Sequence, residues 1–229
     1  MKLLAVDTAT EACSAALYVD GDICHEFQLA PRDHTRLILS MVDTLLQQAG
    51  ISVRQLDALA FGRGPGSFTG VRIATGVVQG LAYGADLPVV PVSTLASIAQ
   101  AVYEDHTESR VLAAIDARMG GIYWGQYQLD DQNLMRLCAD EAVLNPEQVP
   151  VVDDGGWVGA GSGWQAHGEA LTARFGDLVK QRWPDYLPQS STISRLAVAD
   201  FQQGLAVDAA QALPVYLRND VAKKAKDRT

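Results

Sequence analysis

The chain opens on a short apolar run, Lys2 to Val6, that stops at an aspartate, Asp7, and near its midpoint it does the same again. Val111 to Ile115 is the second apolar run, and Asp116 ends it. Two further strand-like runs follow each aspartate. In the first half they are Ala15 to Val19 and Ile23 to Leu29, joined at Asp20-Gly21, a hairpin signal. In the second half they are Ile122 to Gln128 and Leu134 to Ala142. Three strands in a row at the head of each half constrain the fold more than any other feature, because each sheet must then be covered by the helices that follow it.

Helical periodicity appears next. From Asp33 to Gln48, Leu37, Ile38, Met41, Val42, Leu45, Leu46 and Ala49 build a wide apolar face, and Gly50 stops the helix. Asp57 to Phe61 reads as a strand, Gly62 to Gly70 as a glycine-rich turn, Val71 to Gly84 as a helix and Val89 to Val92 as a strand. Ser93 is suited to cap a helix running to Tyr103. The order β-β-β-α-β-α-β-α is that of a ribonuclease H-like, actin-like half-domain. The expected fold is therefore α/β and two-lobed, each lobe a mixed sheet with helices. The lobes are expected at residues 1–105 and 106–229, parted in the polar stretch Glu104 to Arg110. The second lobe is more degenerate, with Pro146, Pro150 and Gly155-Gly156 breaking the pattern. A strand Trp157 to Ala160, helices near Gln165 to Phe175 and Ser194 to Gln203, and a closing run Pro214 to Leu217 complete it.

Of the 229 residues, 48% are apolar and 20% charged, enough for a core without disulfides or metal. A net charge of −9 argues against unaided binding of nucleic acid. The basic cluster Lys223, Lys224, Lys226 and Arg228 reads as a solvated end. Cys13, Cys24 and Cys138 lack C-x-x-C spacing, which points to a reducing compartment, with Cys13 and Cys24 expected as small buried thiols. No signal peptide or membrane-length apolar run is seen, so a cytoplasmic protein without membrane contact is expected. His25, His34, His106 and His167 are isolated, and each is expected as a surface or strand histidine rather than a metal ligand.

In an actin-like frame the two strand-ending aspartates face a common cleft and cradle phosphate and metal. Asp7-Thr8-Ala9-Thr10 and Asp116-Ala117-Arg118-Met119-Gly120-Gly121 hold those places. Such turns need glycine where backbone N–H groups approach a phosphate, and Ala9 stands where glycine would help. A fold relic is favoured over a working nucleotide site, with Asp7, Thr8 and Asp116 as vestigial phosphate-binding candidates. No cofactor is expected. Gly62 to Gly70 is neither a Walker A loop nor a G-x-G-x-x-G turn. It is either an anion-binding strand-to-helix turn, with Arg72 close by, or a rigid turn that sets the helix angle. Gly159-Ala160-Gly161-Ser162-Gly163 lines an adenosine pocket or forms a turn, and the turn is favoured. No G-x-S-x-G elbow is present.

The helix from Val71 is more informative. Gly76, Gly80 and Gly84 recur every four residues beside the stripe Ile73, Val77, Leu81, and no charge falls between Ile73 and Ala85. Each interior glycine costs a helix about 1 kcal/mol against alanine. Small residues at this spacing let another helix approach closely. Thr75, Gln79 and Tyr83 form the only polar strip. An intersubunit helix–helix interface, shared with the Leu37 to Leu46 helix, is favoured over burial within the lobe.

Together LAVDTATEACSAAL, PRDHT, GRGPGSFTGVRIATG, PVVPVSTL and AAIDARMGGIYWG closely resemble the bacterial TsaB (YeaZ) family, with VGAGSGW and PVYLRN as fainter echoes. The resemblance implies a part in making the threonylcarbamoyl-adenosine modification of tRNA, as a non-catalytic scaffold. It implies heterodimerisation with a catalytic paralogue, TsaD, through first-lobe helices, and a small ATPase, TsaE, completing the assembly. Binding of tRNA is then expected only through the complex, and a homodimer is plausible in isolation. The interface residues it implies are Leu37, Ile38, Met41, Leu45, Ile73, Gly76, Val77 and Gly80. The paralogue's metal-binding histidines follow the strand equivalent to Val89 to Val92, where this chain has Ser93-Thr94-Leu95-Ala96-Ser97-Ile98. Arg32, Asp33 and His34 match the family's turn before the first helix and receive no role. Two competing readings are an ATP-binding kinase or ATPase using Asp7 and Asp116, and a glycopeptidase-like metalloprotein.

Overall fold

In the computed structural model, which describes residues 1–218, the repeated pattern becomes two five-stranded sheets of the same strand order. The first half supplies β1 (Lys2–Asp7), β2 (Ala12–Val19), β3 (Asp22–Leu29), α1 (His34–Ala49), β4 (Ala58–Gly62), α2 (Phe68–Ala85), β5 (Val89–Val92) and α3 (Thr94–His106). The second supplies β6 (Arg110–Asp116), β7 (Ile122–Leu129), β8 (Met135–Leu144), β9 (Trp157–Ala160), α4 (Ser162–Ala166), α5 (Gly168–Phe175), β10 (Val179–Trp183) and α6 (Ser190–Gln202). The sheets run β3-β2-β1-β4-β5 and β8-β7-β6-β9-β10. In each, the first three strands are antiparallel and the last two join in parallel. This is the two-lobed α/β architecture expected from the strand order.

β1 is buried on both faces, which is why it reads as a continuous apolar run. Leu4 and Val6 pack with Ile38, Met41, Leu45, Ala74 and Val78 of α1 and α2, while Leu3 and Ala5 pack with Ile193, Leu196 and Ala197 of α6. The second sheet repeats the scheme. Leu112 and Ala114 meet Trp164, Leu171 and Phe175 of α4 and α5. Val111, Ala113 and Ile115 meet Leu95, Ile98 and Val102 of α3. The halves thus exchange a helix: α3 covers the second sheet and α6 the first. Where the two helices touch, Ser97 Oγ and Thr192 Oγ1 lie 2.7 Å apart.

Gly50 ends α1 in the left-handed region at φ 65°, and Ser93 caps α3 by accepting from the Leu95 and Ala96 N–H groups, both as the sequence predicts. Other details differ. α2 begins at Phe68 rather than Val71 because Ser67 Oγ accepts from Gly70 N at 3.3 Å and caps the helix earlier. The helix expected over Gln165 to Phe175 is two helices meeting at His167. α6 starts at Ser190 rather than Ser194, since Ser190 bonds Ser14 across the lobe and its hydroxyl need not stay in solvent. β10 has three exposed polar residues, Lys180 to Arg182, and its sequence gave no strand signal. Pro214 to Leu217 forms no strand; only the Val215 N–H pairs, with Arg63 O at 2.8 Å. Cys24 is exposed on edge strand β3, whereas Cys13 is buried. The basic cluster Lys223, Lys224, Lys226 and Arg228 lies outside the described residues. Among the described residues no helix is long and apolar enough to cross a membrane.

Candidate functional site

Two places stand out, a cleft between the lobes and a bare ridge on α2. The cleft, about 970 Å³, is walled by the turn after β1 (Ala9, Thr10, Glu11), the turn before α1 (Pro31, Arg32, His34) and the start of α2 (Gly66, Ser67, Phe68). Opposite stand Asp116, Ala117 and Arg118 after β6, with Ser162 and Gln165 of α4. Residues 215–218 cross this opening: Val215, Tyr216 and Arg218 all line it. Tyr216 packs on Phe68 at 5.7 Å between ring centres and accepts from Arg72 Nε at 2.8 Å. Arg218 donates to Arg118 O at 3.3 Å, so the segment bridges both lobes.

The two strand-ending aspartates do not share this cleft. Asp7 and Thr8 are fully buried. Thr8 Oγ1 donates to Gly70 O at 2.6 Å, and Ser67 N donates to Ala9 O at 2.7 Å. The glycine-rich turn therefore lies directly on the turn after β1. Its glycines are what permits this: a side chain at Gly66 would strike Ala9 O, one at Gly70 would strike Thr8 O, and one at Gly62 would strike Asp7 Oδ2. Asp7 accepts one bond, from Ala9 N at 3.1 Å, and its other oxygen has no partner. Burial pushes its carboxyl up to about 7, against the smaller opposing pull of that backbone bond. Asp116 differs: it lines the cleft, accepts from Arg118 N at 2.9 Å and pairs with the Arg118 guanidinium at 3.0 Å.

The remaining sequence candidates also find definite places. Gly159 lies in β9 against Trp164, and Gly161 and Gly163, at the turn into α4 and in its first residues, lie against Ala114; side chains would collide at all three, so close packing explains them. Trp164 Nε1 donates to Leu112 O at 2.9 Å, fixing the indole there. In the segment Ser93 to Ser97 each hydroxyl is engaged inside the protein. Thr94 Oγ1 donates to Pro65 O at 2.5 Å, and Ser97 bonds α6. Ser93 Oγ bonds the Glu141 carboxylate, which also accepts from Tyr127 OH at 2.5 Å and pairs with Arg63 at 3.3 Å. Burial and the adjoining Glu141 push the Tyr127 hydroxyl well up. This closed cluster ties the end of β4 to β8 across the lobes. Sequence reading missed Glu141, because a lone glutamate in a strand carries no pattern. Among the described residues no group of three or more His, Cys, Asp or Glu is placed to hold a metal ion.

On α2, Gly76, Gly80 and Gly84 are exposed, and a Cβ added at any of them would meet nothing within 4 Å. Ile73, Val77 and Leu81 are half-buried beside them, and Tyr83 is 87% exposed. The expected polar strip is only partly polar surface: Thr75 is buried and donates to Val71 O at 2.8 Å. On α1, Ile38, Met41 and Leu45 point into the core of their own lobe and Leu37 sits half-buried at its edge. The outer surface carries the glycine ridge of α2 and, on α1, Leu39, which is 53% exposed.

A family model described as "TsaD: tRNA N6-adenosine threonylcarbamoyltransferase" matches residues 27–225. A protein of Escherichia coli (strain K12), named tRNA threonylcarbamoyladenosine biosynthesis protein TsaB, is 47% identical, over 98% of this chain and 97% of its own length. The chain belongs to the TsaB family. A Haemophilus influenzae protein of the same name is 41% identical, over 98% of this chain and 96% of that protein. The solved structure of YeaZ from Pseudomonas aeruginosa superposes with a TM-score of 0.89 at 48% identity, covering 94% of this chain and 99% of that one. Membership of this family agrees with the resemblance read from GRGPGSFTGVRIATG and its neighbours.

Proposed function

We propose that the chain works in tRNA threonylcarbamoyladenosine biosynthesis as a non-catalytic subunit in the cytoplasm. It docks a TsaD-type transferase, a TsaE-type ATPase joins the assembly, and tRNA is reached only through the complex. In isolation the same face pairs two copies of the chain. The observation that carries this reading is the ridge on α2. Three helix-weakening glycines face open solvent beside half-buried Ile73, Val77 and Leu81, although no contact within the protein requires them to be glycine. A second helix laid along Gly76 and Gly80 would reach backbone and bury the apolar flanks, with Leu37 at the margin. The absence of chemistry is read from spent groups: Asp7 and Thr8 are fully buried, and the hydroxyls of Ser93, Thr94 and Ser97 are engaged internally.

Light scattering of the chain mixed with a TsaD-type protein tests this. A one-to-one complex is expected from the native chain. Gly80→Leu, whose Cβ meets nothing of its own lobe within 4 Å and whose side chain would fill the ridge, is expected to weaken that complex at least tenfold while leaving the circular dichroism unchanged. Native-strength binding by the folded variant would remove the proposed surface.

A further inference from the structure

The inter-lobe cleft is unclaimed by the partner reading, and its charge is the reverse of the chain's. The protein carries a net −9, yet Arg32, Arg118 and Arg218 line this opening against two acids, Glu11 and Asp116. Asp116 and Arg118 pair with each other, so the excess positive charge is that of Arg32 and Arg218 over Glu11, and Arg118 offers an anion the N–H groups outside that pair. Arg32 comes from the first lobe and Arg118 from the second, and both hold left-handed backbone angles, φ 79° and 59°. Arg32 has no ion-pair partner among the described residues. Beside it His34 lines the cleft although only 8% exposed, and its Nε2 is buried without a hydrogen-bond partner. A buried polar atom left unpaired costs free energy that a ligand can return. Across the same opening, Phe68 and Tyr216 keep about half their surface exposed, with the Arg72 guanidinium stacked 3.5 Å from the Phe68 ring centre, and together they offer aromatic surface to a planar group.

We infer that this cleft binds a nucleotide phosphate without a metal ion, its anion held by Arg32 and Arg118 with His34 behind them, its base against Phe68 and Tyr216. The site is not the Asp7–Asp116 metal-phosphate arrangement of an actin-like ATPase, because Asp7 is fully buried and does not line the cleft. A cleft of about 970 Å³ has room for one nucleotide. The phosphate could belong to a free mononucleotide or to one residue of an RNA strand. No cleft residue lies on the α2 ridge, so failure here would leave the partner proposal standing, and the reverse.

Calorimetry on the full chain with AMP, adenosine, inorganic phosphate and the dinucleotide ApA, each with and without magnesium, tests the inference. AMP is expected to bind at least tenfold more tightly than adenosine or phosphate, and equally well in EDTA. Arg32→Ala and His34→Gln are each expected to weaken AMP at least fivefold at an unchanged melting temperature. Should His34→Gln lower that temperature, Arg32→Ala, at an exposed position, decides alone. ApA binding as strong as AMP assigns the site to an RNA strand, and weaker binding to the free nucleotide. Adenosine matching AMP, a requirement for magnesium, unaltered affinity in Arg32→Ala, or no heat with millimolar AMP would overturn it.

Discussion

The turn after β1 and the turn after β6 occupy equivalent places in two sheets of the same strand order, yet Asp7 is fully buried while Asp116 lines a cleft. What separates them is the loop each lobe lays over its turn. In the first lobe the loop between β4 and α2 carries Gly62, Gly66 and Gly70, and their missing side chains let it settle on Thr8 and Ala9. In the second, the corresponding β9–α4 loop also uses its glycines for contact, but against Ala114 and Trp164, within the strand layer. It leaves Asp116 in reach of Arg118 and solvent. Identical topology therefore does not make two equivalent sites; the positions of a few glycines decide which aspartate is buried.

The largest expected effect comes from forcing the sealed turn apart. Gly70→Val puts a side chain into the Thr8 carbonyl, and neither backbone can yield without moving β1 or α2. A loss of more than about 4 kcal/mol in urea unfolding, or failure to fold, is expected. Gly80→Ala on the exposed ridge of the same helix is the control. It meets open space and gains about 1 kcal/mol from helix propensity. Similar effects at the two positions would mean that the loop does not rest on the turn.

A smaller effect tests the burial of Asp7. Its folded-state carboxyl titrates near 7 rather than 3.8, so between those values the folded chain binds more protons than the unfolded one. Native stability is therefore expected to fall as pH rises from about 4 to 7, by a few kcal/mol, and then to level off. Asp7→Asn cannot ionise and should lose this component at its source. The difference in unfolding free energy between the two proteins, measured at pH 4.5 and pH 8, is the readout, because other groups cancel. A difference independent of pH would place Asp7 in contact with water.

The same residues show how far sequence carried. The paired strand-aspartate-strand pattern was enough for the two-sheet architecture, because a period-two or doubly buried strand leaves its mark on consecutive residues. The glycines at 76, 80 and 84 stood out for a similar reason: they break helix propensity at a regular interval, and the structure leaves all three exposed. What stayed hidden depends on residues far apart in the chain. Nothing local in Asp7-Thr8 says that Gly70 will cover it, and nothing in Tyr216 or Arg218 says that they will return to Phe68 and Arg118. His34 looked like an isolated histidine, and its burial becomes visible only once the cleft exists. β10 and Glu141 were missed because a polar edge strand and a single buried carboxylate carry no period.

The smallest effect belongs to the open turn, and it completes the contrast. Asp116→Asn keeps an oxygen to accept from Arg118 N and removes only the charge facing a guanidinium that is 87% exposed. Solvent screens such a pair, so a change under about 1 kcal/mol is expected, with no dependence on pH between 4.5 and 8 to match that of Asp7→Asn. The substitution also frees the Arg118 guanidinium from its carboxylate. If the cleft takes a phosphate, AMP affinity should therefore rise rather than fall. Were Asp116 instead a metal ligand in a kinase-like site, the same substitution would abolish binding, so the sign of one affinity change separates the two uses of this turn.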